Sequence, residues 1–184
     1  MPFSISDFRS SGLKSSGARP NLFDVQVTGA PDQGADAKST EFTMLCKIAS
    51  IPTSTVGVIE VPYFGRMVKI PGNRTFDNLS VTVINDEDFK IRNAIEKWMD
   101  ALNSHETNKS QIGGAASASN LSGSIQVKHY KRDGVTTPSQ IWTFNTCYPV
   151  GLGEIGLDWG SNDTIEEFTI DWAYDYWSHG QFTS

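Results

Sequence analysis

The sequence predicts a mainly β domain, an antiparallel β-barrel or β-sandwich with one flanking α-helix. Apolar and polar residues alternate with period two in several separate stretches, the pattern of strands with one buried face. A single stretch, at about residues 86–102, follows the helical period instead. Between these lie segments rich in Gly, Pro, Asn and Asp, the residues that punctuate turns. With 184 residues and no internal repeat, the chain has the size of one domain that can bury a core without covalent staples.

Residues 1–20 are rich in Ser and Gly and show no sustained period, so a flexible N-terminal arm is expected before a single β domain over 21–184. Residues 21–28 place Phe23, Val25 and Val27 on one face and Asp24 and Gln26 on the other. Residues 29–40 read as a loop, and 41–48 as a second strand with Phe42, Met44, Cys46 and Ile48 on one side. Two more strands are expected at 56–61 and 64–70, interrupted by Pro62, which favours an edge or a bend. A turn at Pro71-Gly72-Asn73 then leads into a strand over 76–84.

The helix at about 86–102 carries Ile91, Ala94, Ile95, Trp98 and Leu102 on one stripe, with Asn85 or Asp86 as its expected cap. Residues 103–124 form a Gly/Ala/Ser/Asn-rich stretch expected as a mobile surface loop. Strands resume at 125–132 and 140–148 around an Asp133-Gly134 hairpin signal. The last expected strand spans 164–177. It puts Phe168, Ile170, Trp172, Tyr174 and Tyr176 on one face and Glu167, Asp171 and Asp175 on the other.

Composition narrows the function classes. The chain has 15 Lys and Arg against 21 Asp and Glu, a formal charge of −6, which argues against broad affinity for phosphate backbones. Hydrophobic residues at 38% are too many for a disordered chain, and no apolar run has the roughly 20 residues of a membrane span. The N-terminal segment lacks the apolar core of a secretory signal, and two cysteines, Cys46 and Cys147, suggest a reducing compartment. A soluble, cytoplasm-made domain without membrane anchoring is the expectation.

The search for catalytic chemistry is mostly negative. His105, His129 and His179 lie far apart, and none has another at metal-ligand spacing, so surface residues explain them better than ligands. Gly151, Gly153 and Gly156 match the dinucleotide glycine pattern literally, but a turn and a strand follow where that site needs a helix N-terminus. Asp86, Glu87 and Asp88 read more simply as a charged first helical turn than as a cation site. Glu166 and Glu167 are adjacent on a strand and point to opposite faces, which disfavours a paired-carboxylate hydrolase. A carbohydrate-binding sandwich that uses exposed Trp and Tyr as stacking platforms remains as the alternative from another class.

Several segments then fall into one pattern. ARPNLF at 18–23, CKIASIP at 46–52, EVPYFGRMVKIPGNRTFDNLSVTVINDED at 60–88 and YPVGLGEIGLDWGSNDTIEEFTIDWAYDYW at 148–177 resemble the tail tube proteins of T-even-like contractile-tailed phages. EVPYFGR and the SHETN stretch after the helix are most similar to marine and cyanobacterial members. The match runs in order over most of the chain. The departures are the expanded 29–40 loop and the Gly/Ala/Ser-rich 113–124 segment.

The resemblance implies a subunit that assembles six to a ring, with rings stacked into a hollow tube inside a contractile sheath. The tube would be driven through the host envelope and pass double-stranded DNA without specific binding. Its partners would be further copies of itself, the sheath protein, and baseplate and tail-terminator proteins. Its place would be the inner tube of the virion tail, after assembly in the host cytoplasm. No catalysis, metal or cofactor is implied. The close alternatives are a baseplate tube-initiating protein and the tube of a contractile injection particle.

Within that picture the acidic residues Glu167, Asp171 and Asp175 are candidates to line the lumen, since a basic lumen would hold DNA. Arg19 of the arm and Val58, Glu60, Tyr63, Phe64 and Arg66 of the Pro62-interrupted hairpin are candidates for contacts between subunits or rings. Trp159 and Trp177, at strand ends, are candidate interface anchors.

Overall fold

A computed structural model describes residues 5, 17–31, 36–110, 121–132 and 138–181. In chain order the elements are β1 (Phe23–Thr28), α1 (Thr40–Leu45), β2 (Cys46–Ser50), β3 (Ser54–Tyr63), β4 (Arg66–Phe76) and β5 (Leu79–Ile84). There follow α2 (Lys90–Leu102), β6 (Gly123–Tyr130), β7 (Pro138–Leu152), β8 (Glu167–Ala173) and β9 (Tyr176–Gln181). All strand pairs are antiparallel.

The main sheet runs β1-β6-β7-β8-β5-β2, with β9 also on β7, and β3–β4 stands apart as a two-stranded hairpin. Strand β7 belongs to both halves. Its first part, Gln140–Asn145, pairs with β9 and Pro138–Cys147 pairs with β6, whereas Tyr148–Leu152 pairs with β8. The strand turns its corner at Thr146, where φ is 56°, and its register with β8 shifts between Pro149 and Gly151. Such a bend lets one strand cross from one layer to the next, folding the sheet into a sandwich. Among the described residues β1 and β2 share no ladder, so the sheet is not closed into a barrel.

The core lies between the layers and under α2. Alternate residues Val25 and Val27, Leu79, Val81 and Val83, Ile125 and Val127, and Phe168, Ile170 and Trp172 are buried. Helix α2 adds Ile91, Ala94, Ile95, Trp98 and Ala101 from one face. Trp98 meets Trp172 edge to face at 5.4 Å between ring centroids, and its indole N–H donates to the Leu121 carbonyl at 2.7 Å. A buried Trp N–H usually finds such an acceptor. Gly123 makes room for this packing, because a Cβ there would sit 3.0 Å from the Thr28 carbonyl oxygen and 3.3 Å from the Trp98 ring.

Four expectations are corrected. Residues 40–45 are helical, not the start of a strand, because Ser39 Oγ accepts from the Phe42 N–H and caps a short turn. This turns Phe42 into the core and leaves Met44 exposed, which a strand would not do. Pro71-Gly72-Asn73 is no turn, since β4 runs through it and Pro71 faces Val58, with a bulge between Val56 and Val58 absorbing the irregularity.

Helix α2 begins at Lys90, not near 86. Its N-cap is Phe89 in the left-handed region, without a side-chain cap, while Asn85 is drawn away by bonding Glu166 through both backbone and side chain. The expected strand over 164–177 is two strands broken at Tyr174 and Asp175, where the Asp175 N–H donates to the Asn145 carbonyl at the corner. The break shifts side-chain parity, so Trp177 packs against the core and Tyr176 is exposed. Most of the arm before residue 17, the Asp133-Gly134 turn and residues 111–120 of the expected mobile loop lie outside the described residues.

Candidate assembly surfaces

The β3–β4 hairpin is the most conspicuous surface. Every residue from Ser54 to Tyr63 is exposed, and in β4 only Gly72 and Phe76 are even half-buried. Its sequence is nonetheless that of a buried strand pair, with Val56, Val58, Ile59, Val61, Met67, Val68 and Ile70 all facing water. An isolated two-stranded hairpin is marginal in water, and apolar residues on both of its faces call for cover. Glu60 and Lys69 pair across the strands at 3.8 Å.

The hairpin tip is a two-residue turn, Phe64-Gly65, with φ of 44° and 79°. Positive φ at both positions matches the twist of the flanking strands, and Gly65 takes it freely. Phe64 does not: a bulky residue there costs about 1–3 kcal/mol. Phe64 is 92% exposed, and its ring meets that of Tyr63 edge to face, 4.7 Å away. Strain and solvent exposure thus coincide at one aromatic residue, Phe64.

A second protruding surface is the connection 153–166 between β7 and β8. Leu157, Trp159 and Ile165 are exposed there, Trp159 completely. The turn is held by Asp158, whose carboxylate accepts from the Gly160 N–H at 3.0 Å and the Ser161 hydroxyl at 3.3 Å. Trp159, expected at a strand end, lies instead in the middle of the connection between Leu152 and Glu167. Trp177 lies near the start of β9, half-buried against the core beside His179.

Of the acidic trio, Glu167 and Asp171 share the outer face of β8, with Thr169 between them and Ser80 and Thr82 opposite on β5. Glu167 is paired with Lys47 of β2, and Asp171 lies over Gly151 of β7. Asp175 is not on this face, because it falls at the corner beyond β8. Arg19 is exposed, and its carbonyl accepts from the His129 Nε2–H at 2.8 Å, fixing the root of the arm to β6.

No catalytic grouping stands out among the described residues. Among the described residues no three His, Cys, Asp or Glu side chains gather as a metal site. Glu166 and Glu167 each have a separate partner, Asn85 and Lys47. Burial pushes the Cys46 and Cys147 thiols up to about 12, away from nucleophilic reactivity. A groove of about 520 Å³ between the end of α2 and Tyr148–Leu152 is apolar and open.

The chain matches the phage tail tube protein family over residues 18–180. It belongs to that family. Among its relatives, tail tube protein gp19 of Enterobacteria phage T4 is 34% identical over 160 residues, covering 87% of this chain and 90% of the phage protein. The tail tube protein of Serratia phage KSP90 is 28% identical over 179 residues, covering 92% and 93%.

Solved structures share the fold of this tail tube protein at lower identity. The tube-terminating cap of the anti-feeding prophage superposes with a TM-score of 0.63 at 17% identity, covering 90% of this chain and 91% of that one. The sheath–tube complex of the extracellular contractile injection system PVC, in its extended state, gives 0.59 at 17% identity, covering 98% and 99%. The tail tube protein is therefore a structural component of a virion tail.

Proposed function

We propose that six copies of this tail tube protein close into a ring, and that rings stack into the hollow inner tube of a contractile tail. The tube starts on a baseplate, lies within a sheath, ends at a terminator, and passes double-stranded DNA into the host after assembly in the host cytoplasm. Related folds occur in structures described as a baseplate, a tube-terminating cap and a sheath–tube complex, which supports this set of partners. The role is structural and not catalytic. The observation that carries the reading is the β3–β4 hairpin, a long apolar two-stranded element that the described residues of its own chain leave exposed.

The ring reading is supported by free strand edges. Among the described residues β2 pairs only with β5, and the Tyr148–Leu152 part of β7 pairs only with β8, so the layer β7-β8-β5-β2 has an open edge on each side. A layer with two open edges can continue into the same layer of a neighbour, which removes the edges altogether. Its outer face, with Ser80, Thr82, Thr169 and Asp171, is polar, and it is the wall this reading turns to the lumen. Lys47 offsets Glu167, so the wall is mildly acidic and offers DNA no cationic hold.

Electron microscopy of the purified protein over a concentration series, with and without a baseplate template, tests this. Six-fold rings or hollow tubes of constant diameter are expected. Protein that stays monomeric at every concentration, even on the template, would end the reading. A basic channel wall in a resolved tube would remove the lumen assignment alone.

A further inference from the structure

We infer that the hairpin tip of one copy docks on the 153–166 loop of a copy in the next ring, so that these two surfaces form the axial joint of the tube. This rests on the tube reading above and names the partner surface within it. The first support is position. The hairpin leaves the sheet after Ser50 of β2 and returns before Leu79 of β5, and Leu79 pairs with Trp172. The 153–166 loop enters β8 at Glu167, which pairs with Ile84 at the other end of β5. Hairpin and loop thus emerge from opposite ends of one layer, about 17 Å apart at their roots along six-residue strands. Two different surfaces at opposite ends make a head-to-tail contact, which repeats indefinitely along an axis and does not close.

The second support is chemistry. Residues 54–76 carry three cations, Arg66, Lys69 and Arg74, against one anion, Glu60. Residues 153–166 carry four anions, Glu154, Asp158, Asp163 and Glu166, and no Lys or Arg. In a chain of net charge −6, the hairpin is a local cationic exception and the loop a concentrated anionic one. Each also exposes apolar groups: Tyr63 and Phe64 at the tip, Leu157, Trp159 and Ile165 on the loop. Aromatic anchors ringed by complementary charge are the composition of a specific contact, with charge setting register and aromatics the affinity. Arg66 follows the tip directly and faces Tyr63 across the turn, which puts cation and aromatics on the same end. Beside Trp159 the loop offers a shallow recess of about 280 Å³, lined by Leu157, Asp158, Ile165 and Glu166 among others.

The test uses the full chain carrying both Phe64→Cys and Trp159→Cys, assembled and treated with a short bismaleimide. Since the two sites lie at opposite ends of the subunit, cross-linking yields a ladder of multimers on a denaturing gel, while either single variant yields none. The unmodified chain sets the background, because Cys46 and Cys147 are half-buried and buried. In parallel, Arg66→Glu and Trp159→Ala are each expected to raise the half-assembly concentration at least about tenfold, and Asp163→Lys to recover part of the Arg66→Glu loss. Tubes that form with no ladder overturn the joint and leave the tube reading standing. Arg66→Glu and Trp159→Ala proteins that assemble within twofold of the unmodified chain do the same. Failure of the unmodified chain to form tubes on a baseplate template overturns the tube reading and the joint with it.

Discussion

At the residue scale, side chains divide sharply between those committed to the body and those held out of it. Cys46 and Cys147 belong to the first group, with their thiols raised chiefly by burial. Both are expected to resist thiol reagents at pH 8 until the protein is unfolded, which a reagent time course with and without denaturant measures. Tyr130 and Tyr174 are also pushed up to about 12, by burial first, with Asp24 and Asp77 adding to it respectively. For all four groups the folded state holds its proton to a higher pH than the unfolded chain does. The folded state therefore binds more protons between about pH 9 and 12, and stability falls as pH rises through that window. Thermal unfolding followed from pH 8 to 11 should show a falling midpoint, shallower in Tyr130→Phe. Trp98→Phe, which removes the donor to Leu121, is expected to cost about 1–3 kcal/mol in denaturant unfolding.

At the element scale, α2 and the β3–β4 hairpin make opposite kinds of prediction. Ile95 is fully buried in α2, so Ile95→Ala should destabilise the monomer by about 2–5 kcal/mol in urea unfolding. Phe64→Asn relieves the strained turn, since Asn-Gly suits positive φ at both positions, and should leave monomer stability equal or higher. The same change should weaken tube formation, read by sedimentation. An assembly no weaker than that of the unmodified chain would strip Phe64 of its interface role. The sequence made α2 and the strands β1, β5, β6 and β8 legible, because each keeps one period and one buried face. It misled where two signals competed. Residues 42–48 alternate in apolarity, yet Ser39 caps a helical turn that overrides the alternation. Pro71-Gly72-Asn73 has turn composition, yet an exposed hairpin with a bulge accepts proline. A Ser cap followed by Glu41 in the first turn was the readable signal for α1.

At the scale of the whole molecule, the candidate site was legible in part. Tip residues Tyr63, Phe64 and Arg66, and Trp159 on the loop, stood out in the sequence, and all are exposed. The acidic trio was less faithful, because its third member depended on a strand that in fact breaks at a corner, where period-two arithmetic no longer holds. Opposite-end placement of hairpin and loop could not be read at all, since it depends on which strands pair. If charge draws the two surfaces together, added salt should slow tube growth, and light scattering from 50 to 500 mM NaCl should show it. That pairing order also sets a timetable. β2, the hairpin and β5 are complete once residue 84 has been made, but β5 waits for β8, which ends at residue 173. At about 5–20 residues per second on the ribosome, the interval is roughly 4–18 s. Throughout it a nascent chain displays the hairpin without the layer that bears the loop. On the proposed axial joint, a subunit would carry both of its joining surfaces only late in its synthesis.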